Sequence, residues 1–227
     1  MGQRLPQYSR WRVPPARYSC AMQPTSSLQR PHCAVCLRPA TACICQWIRP
    51  TANTTEVLIL QHPLEVDHAK NSARLLHLSL ASSSIAVGEA FDAQQLQVTS
   101  AVPKYTVLLY PPTAETAFGG PPPSPDPQRL QDLQHLRLVV LDATWRKSRK
   151  MLHLSPMLQQ LPRLSLDNVP ASAYLIRKAH KPGQLSTLEA CCAALAQLEA
   201  DAPRYQPLLH AFSGFVAQQL AFRPALV

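Results

Sequence analysis

The sequence predicts an α/β fold with a mainly parallel sheet, and three observations carry that prediction. Residues 57–60, 106–109 and 136–141 are short apolar runs of strand length, rich in β-branched residues, as expected of strands buried on both faces. Each run stops at polar residues or prolines, at Gln61-His62-Pro63, at Tyr110-Pro111-Pro112 and at Asp142. Helical patterns stand between and after the runs, so strand and helix alternate from Glu56 onward.

Taken in order, residues 57–60 (VLIL) open the sheet. Residues 65–80 then read as an amphipathic helix, with Ala69, Ala73, Leu76 and Leu80 on one face. Residues 85–87 form a weak strand ended by Gly88, and 106–109 form another buried one. Five prolines and a Gly-Gly pair in residues 113–127 exclude regular structure and predict a long surface loop with the character of a lid. A short helix from Gln128 leads into the central strand, 136–141. Asp142 closes that strand, and Thr144 is placed to cap a helix beginning at Trp145.

Residues 156–161 read as two helical turns and 163–166 as a strand. After a loop through His180 and Gly183, Ser186-Thr187-Leu188-Glu189 is an S-x-x-E capping box. It starts a helix running to about residue 200, inside which Cys191 and Cys192 read as core. Residues 205–222 make a final helix. There is no G-x-G-x-x-G, no P-loop and no internal repeat, and only six glycines, which disfavours the standard nucleotide cradles.

Charge divides the chain unevenly. The net charge is +9, yet residues 1–55 hold seven arginines and no acid, leaving fifteen Lys or Arg against thirteen Asp or Glu elsewhere. A basic arm on a near-neutral body suggests a polyanionic partner. Residues 1–30 lack periodicity and are expected to be a disordered arm. Tyr8, Trp11 and Tyr18 among its arginines suit stacking on RNA bases, although an organellar targeting peptide has the same composition. No apolar run approaches the ~20 residues of a membrane span, and the first twenty residues contain no secretory h-region. Seven cysteines without such a signal point to a reducing compartment, the cytoplasm, rather than to disulfides.

Four of those cysteines fall in residues 31–50. Cys33, Cys36, Cys43 and Cys45 form C-x2-C and C-x-C pairs within thirteen residues, with His32 an adjacent alternative ligand. Tight pairs of this kind close a tetrahedral zinc site. Four thiolates leave no open position, so the expected role is structural, and metal binding supplies folding free energy that so short a segment lacks. Residues 51–227 are expected to form the α/β body.

The helix after Asp142 carries Arg146, Lys147, Arg149 and Lys150, four cations in five residues. Helix N-termini already bear about half a positive charge, so cations there are misplaced unless an anion is to be received. A carboxylate at the end of a buried strand, followed by such a turn, is where open α/β sheets place their chemistry.

The four-cysteine cluster, the QHPLE stretch at 61–65, LLYP at 108–111, DATW at 142–145 and RKAHKPGQLSTLEA at 177–190 together resemble the DTW-domain family, in particular its bacterial tRNA-uridine aminocarboxypropyltransferases. The resemblance implies a SPOUT-like sheet whose C-terminal part is tied into a trefoil knot. It implies S-adenosylmethionine as donor, transfer of its 3-amino-3-carboxypropyl chain to N3 of a uridine in the tRNA variable loop, and methylthioadenosine as by-product. tRNA is then the expected partner, with no membrane and no stable protein partner.

Carried onto this chain, the donor pocket falls on Leu109, Tyr110, Pro111, Leu141, Asp142, Leu175, Ile176, Arg177, Ser186, Thr187 and Glu189. Asp142 is a candidate general base for the uridine N3–H, a turn-ordering carboxylate, or a ligand for the donor ammonium. Thr144 is both cap and site residue, and Trp145 either stacks on a base or packs. Glu189 reads first as the capping-box partner. The helix opening at Thr187 offers N–H groups to the donor carboxylate. Arg146, Lys147, Arg149, Lys150, Lys178 and Lys181 form a tRNA-backbone surface, to which Arg177 adds a further cation. His62 is a possible acid/base, although packing is the stronger reading. The alternatives are a SPOUT-type RNA methyltransferase, which attacks the same sulfonium at another carbon, and a non-catalytic zinc-containing RNA-binding protein.

Overall fold

Two strands, β1 (Glu56–Gln61), buried throughout, and β4 (Leu136–Asp142), buried at all but Leu141, form the middle of a five-stranded sheet. The computed structural model describes residues 31–97, 103–111, 121–166 and 185–222. β2 (Ser83–Val87), β3 (Tyr105–Leu109) and β5 (Arg163–Leu164) complete the order β2-β1-β4-β3-β5. Every described pairing is parallel, as the apolar runs predicted.

Alternation along the strands divides the core in two. Val57, Ile59, Leu138 and Val140 face α1 (Ala73–Ser79), α6 (Thr187–Leu198) and α7 (Ala202–Ala221). Leu58, Leu60, Leu108 and Val139 face the opposite layer, with α2 (Ala93–Gln97), α4 (Trp145–Leu154) and α5 (Pro156–Gln159). The fold is thus three-layered. α3 (Pro127–Gln131) enters the central strand, its Pro at the first turn and Asp126 as its cap. Cys191 and Cys192 lie fully inside the first layer. Burial pushes both thiols up, that of Cys192 to about 12, which makes them inert core residues.

At the amino ends of the strands, Glu56 sits opposite Arg137 in register and accepts from it at 2.9 and 3.0 Å. Lys104 reaches the second oxygen of Glu56 at 3.0 Å. Buried charges persist only when paired in this way, so this end of the sheet is a closed structural clasp. The chemistry-bearing groups gather at the other end.

The four-cysteine segment, with 3-10 turns at Ala40–Ala42 and Cys45–Trp47, packs on α7. Trp47 lies directly on Gly214, where an added Cβ would come within 2.2 Å of the indole ring. The indole Nε1 donates to Gln218 Oε1 at 2.5 Å, and Gln218 Nε2 donates to the Cys43 carbonyl at 3.1 Å.

Some element boundaries differ from expectation. The helix predicted over 65–80 begins only at Ala73, preceded by a 3-10 turn at Pro63–Glu65 and an irregular stretch. Two side chains compete for its backbone donors: His62 Nδ1 accepts from Leu64 N at 3.1 Å, and Asn71 Oδ1 from Arg74 N at 3.1 Å. β5 is two residues long rather than four, and β2 starts two residues early. The last helix starts at Ala202, because Asp201 caps it through Arg204 N at 3.1 Å. α2 was not anticipated, although Asp92-Ala93-Gln94-Gln95 is a D-x-x-Q cap, with reciprocal bonds of 2.8 and 3.0 Å.

The basic arm (1–30), much of the proline-rich loop and residues 167–184, part of the C-terminal region for which a knot is expected, lie outside the described residues. Among the described residues, no helix is long and apolar enough to cross a membrane.

The contact between Trp47 and Gly214 yields a test. Gly214→Ala gains up to about 1 kcal/mol in helix propensity but forces the indole off α7, at a cost of about 1–3 kcal/mol for overpacking. The expected result is a lower unfolding midpoint in urea with an unchanged slope.

A candidate active site at the carboxyl ends of the strands

β1 and β4 are neighbours, but the chain leaves them in opposite directions across the sheet, to β2 on one side and toward β5 on the other. That reversal creates a switch point, where a crevice opens beyond the strand ends. Asp142 is the last residue of β4, directly opposite Gln61, the last of β1.

Asp142 is 5% exposed, and its carboxylate accepts three hydrogen bonds. Gln61 Nε2 at 2.8 Å and Asn71 Nδ2 at 2.5 Å both donate to Oδ2. Thr187 Oγ1, from the first turn of α6, donates to Oδ1 at 2.7 Å. One buried anion therefore joins a strand end, the stretch before α1 and the start of α6. Neither amide was foreseen. Gln61 reads in the sequence only as the end of the strand, and Asn71 is masked by the helix expected there.

Beside this carboxylate lies an open cavity of about 200 Å³. Of the residues expected around the donor, Leu109, Tyr110, Pro111, Leu141, Ser186 and Thr187 line it, and so does Trp145. Asp142 lies beneath Thr187 rather than on the wall. Val140, Ala143, Ser148, Leu164, Leu166, Leu185 and Ala190 also line it and were not anticipated, since apolar lining is indistinguishable from core in a sequence. Trp145 is 48% exposed and meets Tyr110 edge-on, ring centres 5.8 Å apart. Leu175, Ile176, Arg177, Lys178 and Lys181 lie outside the described residues.

Glu189 is not on the cavity wall. It closes the capping box of α6, accepting from Ser186 N at 2.8 Å while Ser186 Oγ accepts from Glu189 N at 3.2 Å. Leu188 N points to Ser72 Oγ at 3.4 Å. The helix opening thus offers fewer N–H groups than expected, because Leu188 N and Glu189 N already have partners.

Thr144 caps α4 as anticipated, accepting from Lys147 N at 3.4 Å. The cations behind it are not equivalent. Lys147 pairs with Glu65 at 2.9 Å and Lys150 with Glu89 at 2.7 Å, while Arg146 and Arg149 are exposed. Two of the four misplaced charges are therefore answered by carboxylates from other strand ends, a long-range pairing that charge counting along one helix cannot find. Glu89 also receives buried His62 Nε2 at 2.9 Å, so His62 is held by structure on both ring nitrogens. The Lys150 contact and its charge hold the Glu89 carboxyl below the usual range.

The Sγ atoms of Cys33, Cys36, Cys43 and Cys45 all lie within 4.8 Å of one another. Cys33 and Cys45 are 3.5 Å apart and Cys36 and Cys43 3.8 Å. Sulfurs tetrahedrally bound at about 2.3 Å stand roughly 3.8 Å apart, so the quartet has the dimensions of a metal site. Burial raises the thiols of Cys36 and Cys45, a cost that a bound cation would reverse. His32 is exposed, bridges to Pro39 and does not join the quartet.

Comparison with known proteins places the chain in a family. Residues 30–220 match the family model described as DTW domain. The chain is 31% identical over 204 residues to tRNA-uridine aminocarboxypropyltransferase 2 of Drosophila melanogaster, covering 85% of this chain and 76% of the fly protein. It is 25% identical over 200 residues to the mouse protein of the same name, covering 85% of this chain and 64% of that protein. It is 28% identical over 203 residues to tRNA-uridine aminocarboxypropyltransferase A of Arabidopsis thaliana, covering 76% and 74%. These relatives are animal and plant proteins, not the bacterial ones the motifs suggested, although the family is the same. The chain spans just under two thirds of the mouse relative's length. No solved structure matches the chain significantly. With a matching family model over most of its length, the chain belongs to the DTW domain family.

Proposed function

We propose that this protein transfers the 3-amino-3-carboxypropyl group of S-adenosylmethionine to N3 of a uridine in tRNA and releases methylthioadenosine. The observation that carries the reading is the cavity at the strand ends, with Asp142 held beneath it by Gln61, Asn71 and Thr187. The names of the similar proteins support the same reaction.

In this reading the protein's task is alignment, because the donor sulfonium is already a strong electrophile. Leu109, Leu141 and Leu164 give the cavity an apolar wall for the adenosine, and Ser186 and Thr187 give it a polar edge. Oδ2 of Asp142 is occupied by two amides, so Oδ1, which meets only Thr187 among the described residues, takes the N3 proton. N3 forms its bond to the donor carbon as the carbon–sulfur bond breaks, and the electron pair leaves on a neutral thioether. Trp145, half-exposed at the rim, stacks on the acceptor base. Arg146 and Arg149 contact tRNA phosphates, while Lys147 and Lys150 hold the rim through Glu65 and Glu89. In the same reading Arg177, Lys178 and Lys181 are further tRNA-binding cations, and the fold is SPOUT-like with a C-terminal trefoil knot. The reaction belongs in the cytoplasm, where tRNA is available.

We assign the four thiols to one zinc ion with a structural role, since four sulfur ligands leave no position for substrate.

Three measurements test these assignments. Incubation with unmodified tRNA and carboxyl-labelled donor should place label in the RNA. Label arriving only from the methyl position would instead mark a methyltransferase, and binding without turnover a non-catalytic RNA-binding protein. Asp142→Asn should lower kcat by about 10²-fold or more with the donor Kd nearly unchanged; a rise in donor Kd with kcat preserved would make Asp142 an ammonium ligand. Purified protein should contain close to one zinc per chain, and Cys33→Ser should lose it and lower the thermal midpoint by several degrees, read by metal analysis and calorimetry.

A further inference from the structure

Arg38 lies between Cys36 and Cys43 in the sequence, yet its side chain reaches out of the cysteine segment toward the sheet. Its guanidinium donates to the Ala69 carbonyl at 2.6 Å and to the Asn71 carbonyl at 2.8 Å. One face of the group lies 5.3 Å from the centre of the Phe215 ring on α7. Both carbonyls belong to the irregular stretch where the sequence pattern called for helix, so neither is committed to a regular ladder. A planar fork with two donors is suited to pinning two nearby acceptors at once.

Asn71 is the point of transmission. Its carbonyl is held by Arg38, its Oδ1 accepts from Arg74 N at 3.1 Å, and its Nδ2 donates to Asp142 at 2.5 Å. The path from the cysteine segment to the buried carboxylate thus crosses one residue and no solvent. Arg38 is not among the residues lining the cavity, so its effect on the reaction is indirect, and of Ala69, Asn71 and Phe215 it is Asn71 that also touches Asp142.

We propose that Arg38 is a positioning residue for Asp142: by clamping Asn71 it fixes the carboxylate and makes the site's geometry depend on the fold of the four-cysteine segment. This inference rests on the reading of Asp142 as part of the active site. Without the fork, the stretch before α1 loses its outer anchor and Oδ2 loses a fixed donor. Misplacement of a reacting group by about 1 Å is enough to cost about 10²-fold in rate.

The test uses the full chain with Arg38→Met, which keeps an apolar stem against Phe215, Arg38→Lys, which can reach one carbonyl, Asn71→Ala, and the Arg38→Met/Asn71→Ala double variant. Arg38→Met should retain zinc, keep KM for donor and tRNA within about twofold, and lower kcat by about 10- to 100-fold. Arg38→Lys should fall between it and wild type. The double variant should be no slower than Asn71→Ala alone, because the two residues act in series. Hydrogen exchange should quicken at residues 66–72 in Arg38→Met and stay unchanged in residues 33–48. Wild-type kcat in Arg38→Met, additive losses in the double variant, or unchanged exchange at 66–72 would each overturn the proposal. So would loss of zinc with faster exchange throughout 33–48, which marks a merely structural role. If Arg38→Met does not fold, Arg38→Lys and Asn71→Ala carry the comparison. Should wild type itself transfer nothing, the transferase reading fails, while exchange at 66–72 still decides whether the clamp exists.

Discussion

The arrangement depends on one buried carboxylate with three donors. An ion inside a protein is tolerated only where its lone pairs are met, and Asp142 is met by an amide from β1, an amide from the stretch before α1 and a hydroxyl from α6. These donors come from positions 61, 71 and 187, so the anion acts as a rivet through elements distant in sequence. The cavity beside it is lined from β3, β4, β5, α4 and α6, so the rivet shares one strand and one helix with its wall.

A division of labour runs along the strands. At their amino ends, Glu56, Arg137 and Lys104 form a closed clasp with charge matched inside the protein. At their carboxyl ends, charge is only partly matched: Glu65 and Glu89 answer Lys147 and Lys150, and two arginines stay exposed. A parallel sheet makes this asymmetry possible, since all its strand ends of one kind open on one side. Four cations at a helix opening therefore serve two purposes, bracing the rim internally and presenting positive charge outward.

Much of this was legible in the sequence, for identifiable reasons. Strands buried on both faces are continuous apolar runs, so β1, β3 and β4 could be read within a residue or two. The capping box at Ser186 and the cap at Thr144 are local chemistry and were found where expected. The cysteine quartet follows from spacing alone. What stayed hidden was non-local. Asn71 leaves the helical path because a carboxylate from residue 142 draws its side chain away, and nothing near Asn71 announces that. Lys147 and Glu65 find each other across the strand ends, and apolar residues such as Leu164 turn out to line a cavity rather than fill a core. The short α2 was readable from its D-x-x-Q cap and was missed because five residues give no periodicity.

The seating of the cysteine segment on α7 has a consequence for synthesis. Trp47 and Gln218 are 171 residues apart, and Gln218 also holds the Cys43 carbonyl. A ribosome delivers the thiols first and their lid last, so the early segment must wait, uncovered, while the whole sheet emerges. Ion capture before release would give that waiting chain a local structure of its own. The final helix, α7, is then the last element to cover the cysteine segment.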